Sequence, residues 1–188
     1  MIVILVEGDG DKKALPIILN RARGILSDSV LCIDMKGRSN MIREADGFEK
    51  TILRQSVPKD TAFFILLDQE GPRSPYVGFA DEVAGMNNRA SNMMATHGLP
   101  VRVLWAIREF ESWLIGGLRK GSKYCNLSGI RSIPGDTQGA PLDPKAWLKA
   151  HRTPRHYDSN AQACLAKHID VKLARQRNHS LDDLLLTI

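Results

Sequence analysis

The residues of this chain that could do chemistry are carboxylates placed at the ends of apolar runs. Glu7 closes the run Ile2–Val6 and opens the acidic-glycine segment Glu7-Gly8-Asp9-Gly10-Asp11; Asp68 and Glu70 follow the apolar residues 63–67; Glu109 and Glu111 follow Val101–Ile107. Carboxylates gathered in a partly desolvated crevice repel one another unless cations neutralise them, so their convergence would imply a hard divalent ion with oxygen ligands, Mg²⁺ or Mn²⁺. Asp68-Gln69-Glu70 has the spacing that, in an extended stretch, turns two carboxylates to one side and Gln69 to the other. An Asp-x-Glu in a surface loop is common; the apolar run before it marks this one.

Basic residues supply the complementary chemistry. The net charge of +5 is unevenly distributed: residues 118–177 hold 12 Lys/Arg against 4 Asp, net +8, and the remainder holds 14 Lys/Arg against 17 acids, net −3. A basic half beside an acidic cluster suits a metal-dependent enzyme acting on a polyanion, DNA or RNA, although basic residues also solvate surfaces. Lys12 and Lys13 stand near the start of the first helix, where positive charge is locally unfavourable and a bound phosphate would offset it. Arg152 and Arg155, beside His156 and Tyr157, form a second candidate phosphate or nucleic-acid contact, with simple packing of Tyr157 the plainer reading. The five histidines show no metal-ligand spacing, and Trp105, Trp113 and Trp147 read as core.

These groups need a frame. Ile2–Val6 is apolar throughout and β-branched at four of its five positions, which predicts a strand buried on both faces with the acidic loop at its end. A helix is expected over 12–26, with Pro16 tolerable only in its first turn. Further strands are expected over 29–35, 62–67 and 101–107, and helices over 40–55, 76–96 and 110–118. Alternating strands and helices require parallel crossovers, hence an α/β fold with a doubly wound, mainly parallel sheet and helices on both faces. Residues 121–144 read as a long loop, and 144–151, 160–173 and 180–186 as short helices, the last with Ser180 as N-cap. The expected organisation is an α/β domain over 1–118 with a basic loop and helical extension over 119–188 packed on it.

The composition, 43% apolar and 25% charged, is that of a globular chain. No run approaches the length of a membrane span and no leader is evident, so no membrane contact is expected. Cys32, Cys125 and Cys164 are odd in number and far apart, which predicts neither a disulfide framework nor a zinc knuckle and fits a reducing cytoplasm.

Val6-Glu7-Gly8 after an apolar strand, with an acidic pair after a later strand, resembles the TOPRIM pattern of topoisomerases, primases and the nucleases of the overcoming-lysogenization-defect family. Further on, Arg108-Glu109-Phe110-Glu111-Ser112-Trp113-Leu114 and the terminal Tyr157, Ile169-Asp170, Ala174-Arg175 and Ser180-Leu181 resemble a stand-alone TOPRIM-like family of unknown function. The resemblance implies a Mg²⁺-dependent fold in which Glu7 is an acid/base or metal ligand, Asp68 and Glu70 bind the ion, and Glu111 is an additional ligand. Glu70 departs from the family's second aspartate, keeping the charge on a longer arm. If Glu109 and Glu111 share a helical turn, at most one should face the metal.

The implied activity is hydrolysis of a nucleic-acid phosphodiester by a TOPRIM-type nuclease, as the effector of a bacterial anti-phage system working with a separately encoded ATPase. The alternative is a non-catalytic nucleic-acid-binding or regulatory subunit of such a complex. A homodimer is one assembly left open. No Gly-x-x-x-x-Gly-Lys-Ser/Thr loop is present, so the chain is not itself a P-loop ATPase. A phosphoaspartyl protein fits poorly, because Glu7 stands where an aspartate nucleophile would be needed.

Overall fold

The structure is a computed structural model describing all residues except 45–46 and 70–78. Four strands, β1 (Ile2–Val6), β2 (Val30–Asp34), β3 (Ala62–Gln69) and β4 (Val101–Ile107), form one all-parallel sheet in the order β2-β1-β3-β4. The register pairs Val6 with Asp34, Leu5 with Ile65, and Asp68 with Ala106. The chain leaves β1 to one side for β2 and returns on the other for β3, so the direction of winding reverses between β1 and β3. At such a reversal the loops beyond the carboxyl ends diverge and leave a crevice. Glu7 and Asp68 stand on its two sides.

Alternation along the two central strands divides the core. Ile4, Val6, Phe64 and Leu66 face one hydrophobic cluster, completed by α1 (Asp9–Arg23), α5 (Phe110–Gly116), α7 (Ser159–His168), α8 (Val171–Arg177) and α9 (His179–Thr187). Val3, Leu5, Phe63, Ile65 and Leu67 face the other, built with α2 (Arg38–Ile42), α3 (Phe48–Leu53) and α4 (Phe79–His97). Each large apolar side chain fully withdrawn from water contributes about 1.5–3 kcal/mol, which explains why strands without alternating polarity settle between two helical layers. The helical C-terminal part shares the first cluster with β1 and α1.

Several local expectations are corrected. Helix α1 starts at Asp9, so Pro16 lies in its middle; its ring removes only the bond to the Lys12 carbonyl, and burial of Ala14, Leu15, Ile18 and Leu19 holds the helix across the gap. Residues 40–55 hold two short helices, α2 and α3, separated at Gly47, where a Cβ would collide with the carbonyls of Arg43 and Met41. Residues 160–173 hold α7 and α8, separated at Ile169 and Asp170, whose carboxylate caps α8 by accepting from Leu173 N. Ser180 is no cap: it is buried inside α9, where its Oγ accepts from Trp113 Nε1 at 2.9 Å and donates to Asn178 Oδ1 at 2.7 Å.

The cysteine expectation is also overturned. Cys125 and Cys164 are bonded as a disulfide with Cα atoms 5.8 Å apart, leaving Cys32 free and buried. Residues 39 apart in sequence meet because a 3-10 turn over Tyr124–Asn126 lies against α7. The bond removes the cysteine argument for a reducing compartment. Among the described residues no helix is long and apolar enough to cross a membrane.

Candidate functional site

The acidic residues converge where the sheet changes winding direction. Glu7 Oε1 accepts the backbone N–H of Asp68 at 2.8 Å, and Asp68 Oδ1 accepts the backbone N–H of Phe110 at 2.8 Å. Three strand ends are thereby tied through two carboxylates. Arg38, at the start of α2, reinforces the junction: its Nη1 donates to the Asp68 carbonyl at 2.5 Å and lies 3.8 Å from Glu7 Oε1, while Nη2 reaches Glu82 Oε1 of α4 at 2.6 Å. Arg38 is delivered by a tight turn with Lys36 and Gly37 at positive φ, pinned by Gly37 N donating to the Glu7 carbonyl.

The centre of the cluster is an ammonium group. Lys145 Nζ, on α6 (Pro144–Ala150), lies 3.8 Å from Asp68 Oδ2, 3.7 Å from Glu109 Oε1 and 3.7 Å from Glu111 Oε2. Helix α6 is set against α5 by its first turn, where Asp143 caps Ala146 N and Glu109 Oε2, at the N-cap of α5, accepts Lys145 N at 3.3 Å. Arg108 holds the loop leading there: it sits at φ +69 and donates through Nε and Nη2 to the carbonyls of Gln138 and Gly139. Asp11 joins from α1, with its Oδ1 accepting Gln162 Nε2 of α7 at 2.6 Å.

Burial and mutual repulsion set the protonation of this group. Withdrawal from water raises the Glu7 carboxyl against the opposing Asp68 amide and Arg38. Asp68 is raised well above the aspartate range by burial, then by Asp11 and Glu111, with Lys145 pulling the other way. Glu111 is pushed up to about 8 by burial, against the attraction of Lys145. Asp11 and Glu109 are raised by the same desolvation. For Lys145 burial acts to lower the value, but Glu111, Asp68 and Glu109 outweigh it and raise it, so the ammonium stays charged. Glu111 Oε2 is buried and accepts no hydrogen bond among the described residues.

The donor set is all oxygen, the ligand type of a Mg²⁺- or Mn²⁺-class ion, but its acids close on Lys145 and, among the described residues, their oxygens do not form a group mutually close enough to hold one ion. Glu7, Asp68 and Glu111 are brought together. Glu109 also reaches Lys145; it is the N-cap of α5 with extended backbone, so the condition under which only one of the pair would face the site, a shared helical turn, is not met. Glu70 lies outside the described residues.

The expected phosphate contacts are dispersed. Lys13 pairs with Asp9 at 2.7 Å and donates to Ser159 Oγ, joining α1 to α7, and Lys12 is an exposed residue of α1. Arg152 donates to the carbonyls of Cys125 and His156, whereas Arg155 is exposed and, with Arg131, His151 and Arg152, lines a separate cleft of about 540 Å³. Tyr157 is held in the first cluster with its hydroxyl buried and lacking a partner among the described residues, which favours packing over nucleic-acid stacking.

Lys145 and Arg38 were not singled out by their sequence context. Asp11 had a signal, its place in the acidic-glycine segment; Lys145 is one of many cations in the basic half, and only the folding of α6 onto Glu109 distinguishes it. Compared with protein-family models, curated proteins and solved structures, the chain matches none.

Proposed function

We propose that the chain is a TOPRIM-type nuclease that hydrolyses nucleic-acid phosphodiesters with Mg²⁺ or Mn²⁺. The observation that carries this reading is the gathering of Asp68, Glu109 and Glu111 within 3.8 Å of the Lys145 ammonium, beside Glu7 and Asp11. The parallel α/β sheet and the position of Glu7 and Asp68 at its winding reversal support the TOPRIM likeness. A bound Mg²⁺ would be held by Glu7, Asp68 and Glu111, with Glu70 as the further ligand the family pattern implies, and would supply Lewis acidity for charge developing on the phosphate oxygens.

The chain's own residues have distinct tasks. Glu7, raised in pKa yet fixed by the Asp68 amide, orients a water molecule and accepts its proton. Asp68 fixes the spacing of β3 and α5 through the Phe110 amide. Lys145, half exposed at the crevice, offers its ammonium to a non-bridging phosphate oxygen when a nucleic acid enters. In the anti-phage setting that the family likeness implies, a separately encoded ATPase would present the substrate.

One observation favours a second reading. Lys145 already neutralises the acids, as a chain that binds nucleic acid or an ATPase without turnover would require. Incubating the full chain with plasmid DNA and with RNA under Mg²⁺ or Mn²⁺ separates the two. Metal-dependent cleavage abolished by Glu7→Gln supports the nuclease, and salt-sensitive binding without cleavage supports the subunit.

A further inference from the structure

The disulfide sits beside a third soft ligand. Cys164 and His168 are one helical turn apart on α7, and Cys125 faces them from the 3-10 turn, so the two Sγ atoms and a His168 ring nitrogen all lie within 4.8 Å of one another. Two cysteines and one histidine form the ligand set of open zinc sites, whose fourth position is taken by solvent. The group meets solvent on its imidazole side, where His168, Tyr124 and Ser122 line a cleft of about 410 Å³. The His168 ring is exposed and stacks on Tyr124 at 5.1 Å between centroids, which orients the imidazole.

We propose that Cys125, Cys164 and His168, once the disulfide is reduced, bind a thiophilic divalent cation of the Zn²⁺ class with one solvent ligand. A dithiol reductant supplies the two electrons: its thiolate attacks one protein sulfur, the Cys125–Cys164 bond breaks, and the reductant leaves as its own disulfide with two protein thiols formed. Cation binding displaces the two thiol protons to solvent and forms two metal–sulfur bonds. The cation ties together the same two segments that the disulfide ties, so one crosslink replaces another. Arg152 Nε donates to the Cys125 carbonyl and Arg21 Nη1 to the Ala166 carbonyl, holding both segments through the exchange. The inference does not rest on the nuclease reading, because its ligands are sulfur and imidazole.

Cobalt titration of the full chain tests it, because sulfur-to-cobalt charge-transfer absorption reports thiolate ligation and is absent from an all-oxygen site. The expected result is one Co²⁺ per reduced chain with that absorption, displaced by Zn²⁺, and none in the oxidised chain. Cys125→Ser and Cys164→Ser should each lose the band. His168→Ala, a surface change that leaves the core intact, should weaken Co²⁺ affinity by at least about tenfold. A reduced, folded wild-type chain without the band, or one whose band and affinity His168→Ala leaves unchanged, overturns the proposal and leaves the pair a structural disulfide only.

Discussion

Glu7 and Asp68, 61 residues apart, are joined by a hydrogen bond from the backbone of one to the carboxylate of the other at 2.8 Å. The bond fixes the Glu7 carboxylate to the end of β3, so rearranging one acid displaces the other. Arg38 grips the same peptide from its carbonyl side at 2.5 Å. Two side chains, Glu7 and Arg38, are thus anchored to the two polar groups of the Asp68 backbone.

If this junction does the chemistry, Glu7→Gln keeps the accepting oxygen and the fold while removing the base. Metal-dependent cleavage of plasmid or RNA should fall by about 10²-fold or more, with an unchanged thermal midpoint. Wild-type rates under Mn²⁺ would remove the assigned role.

Lys145→Met takes away the ammonium facing Asp68, Glu109 and Glu111. Without divalent ions its thermal midpoint should drop, because buried like charges lose their shared counter-ion. Mg²⁺ should recover most of the loss if the ammonium occupies a position an ion can take. A drop that Mg²⁺ leaves untouched would show that the cluster is built for lysine alone.

The Glu111 carboxyl, pushed up to about 8 from 4.5, predicts a pH dependence. Between those values the unfolded chain has released this proton while the folded chain retains it, so rising pH favours unfolding. In metal-free protein, denaturant midpoints should therefore decline from 4.5 towards 8, and Glu111→Gln should flatten that decline. Identical pH profiles for the two proteins would contradict the burial of this group as the cause.

Ser180 lies 73 positions from Ile107 and accepts both its backbone N–H at 3.1 Å and the Trp113 indole N–H at 2.9 Å. Ser180→Ala should destabilise the protein by about 1–3 kcal/mol through the buried donors it orphans, seen as a lower urea midpoint.

The strands and two-sided core were legible because apolar runs such as Ile2–Val6 and residues 63–67 have one economical placement, between helical layers. The nearness of Glu7 and Asp68 was legible for a related reason: parallel strands bring their carboxyl ends to one edge, so acids that close adjacent strands become neighbours. Pro16 misled because a local rule about helix interiors was outweighed by four buried apolar neighbours. Lys145 and the Cys125–Cys164 pair were beyond reach, since each depends on how the segment from Gly117 to Asp143 is routed. No local pattern encodes that route; it is fixed by Arg108 holding Gln138 and Gly139, and by Glu109 receiving the first turn of α6.

Lys145 makes the protein its own competitor. A tethered cation is present at the same local concentration in every molecule, whatever the surroundings contain, so the acids always have a counter-ion at hand. Any ion that takes the position must first evict a resident arm, which makes apparent affinity weaker than the acids alone would give and links ion arrival to a displacement of the lysine that began there.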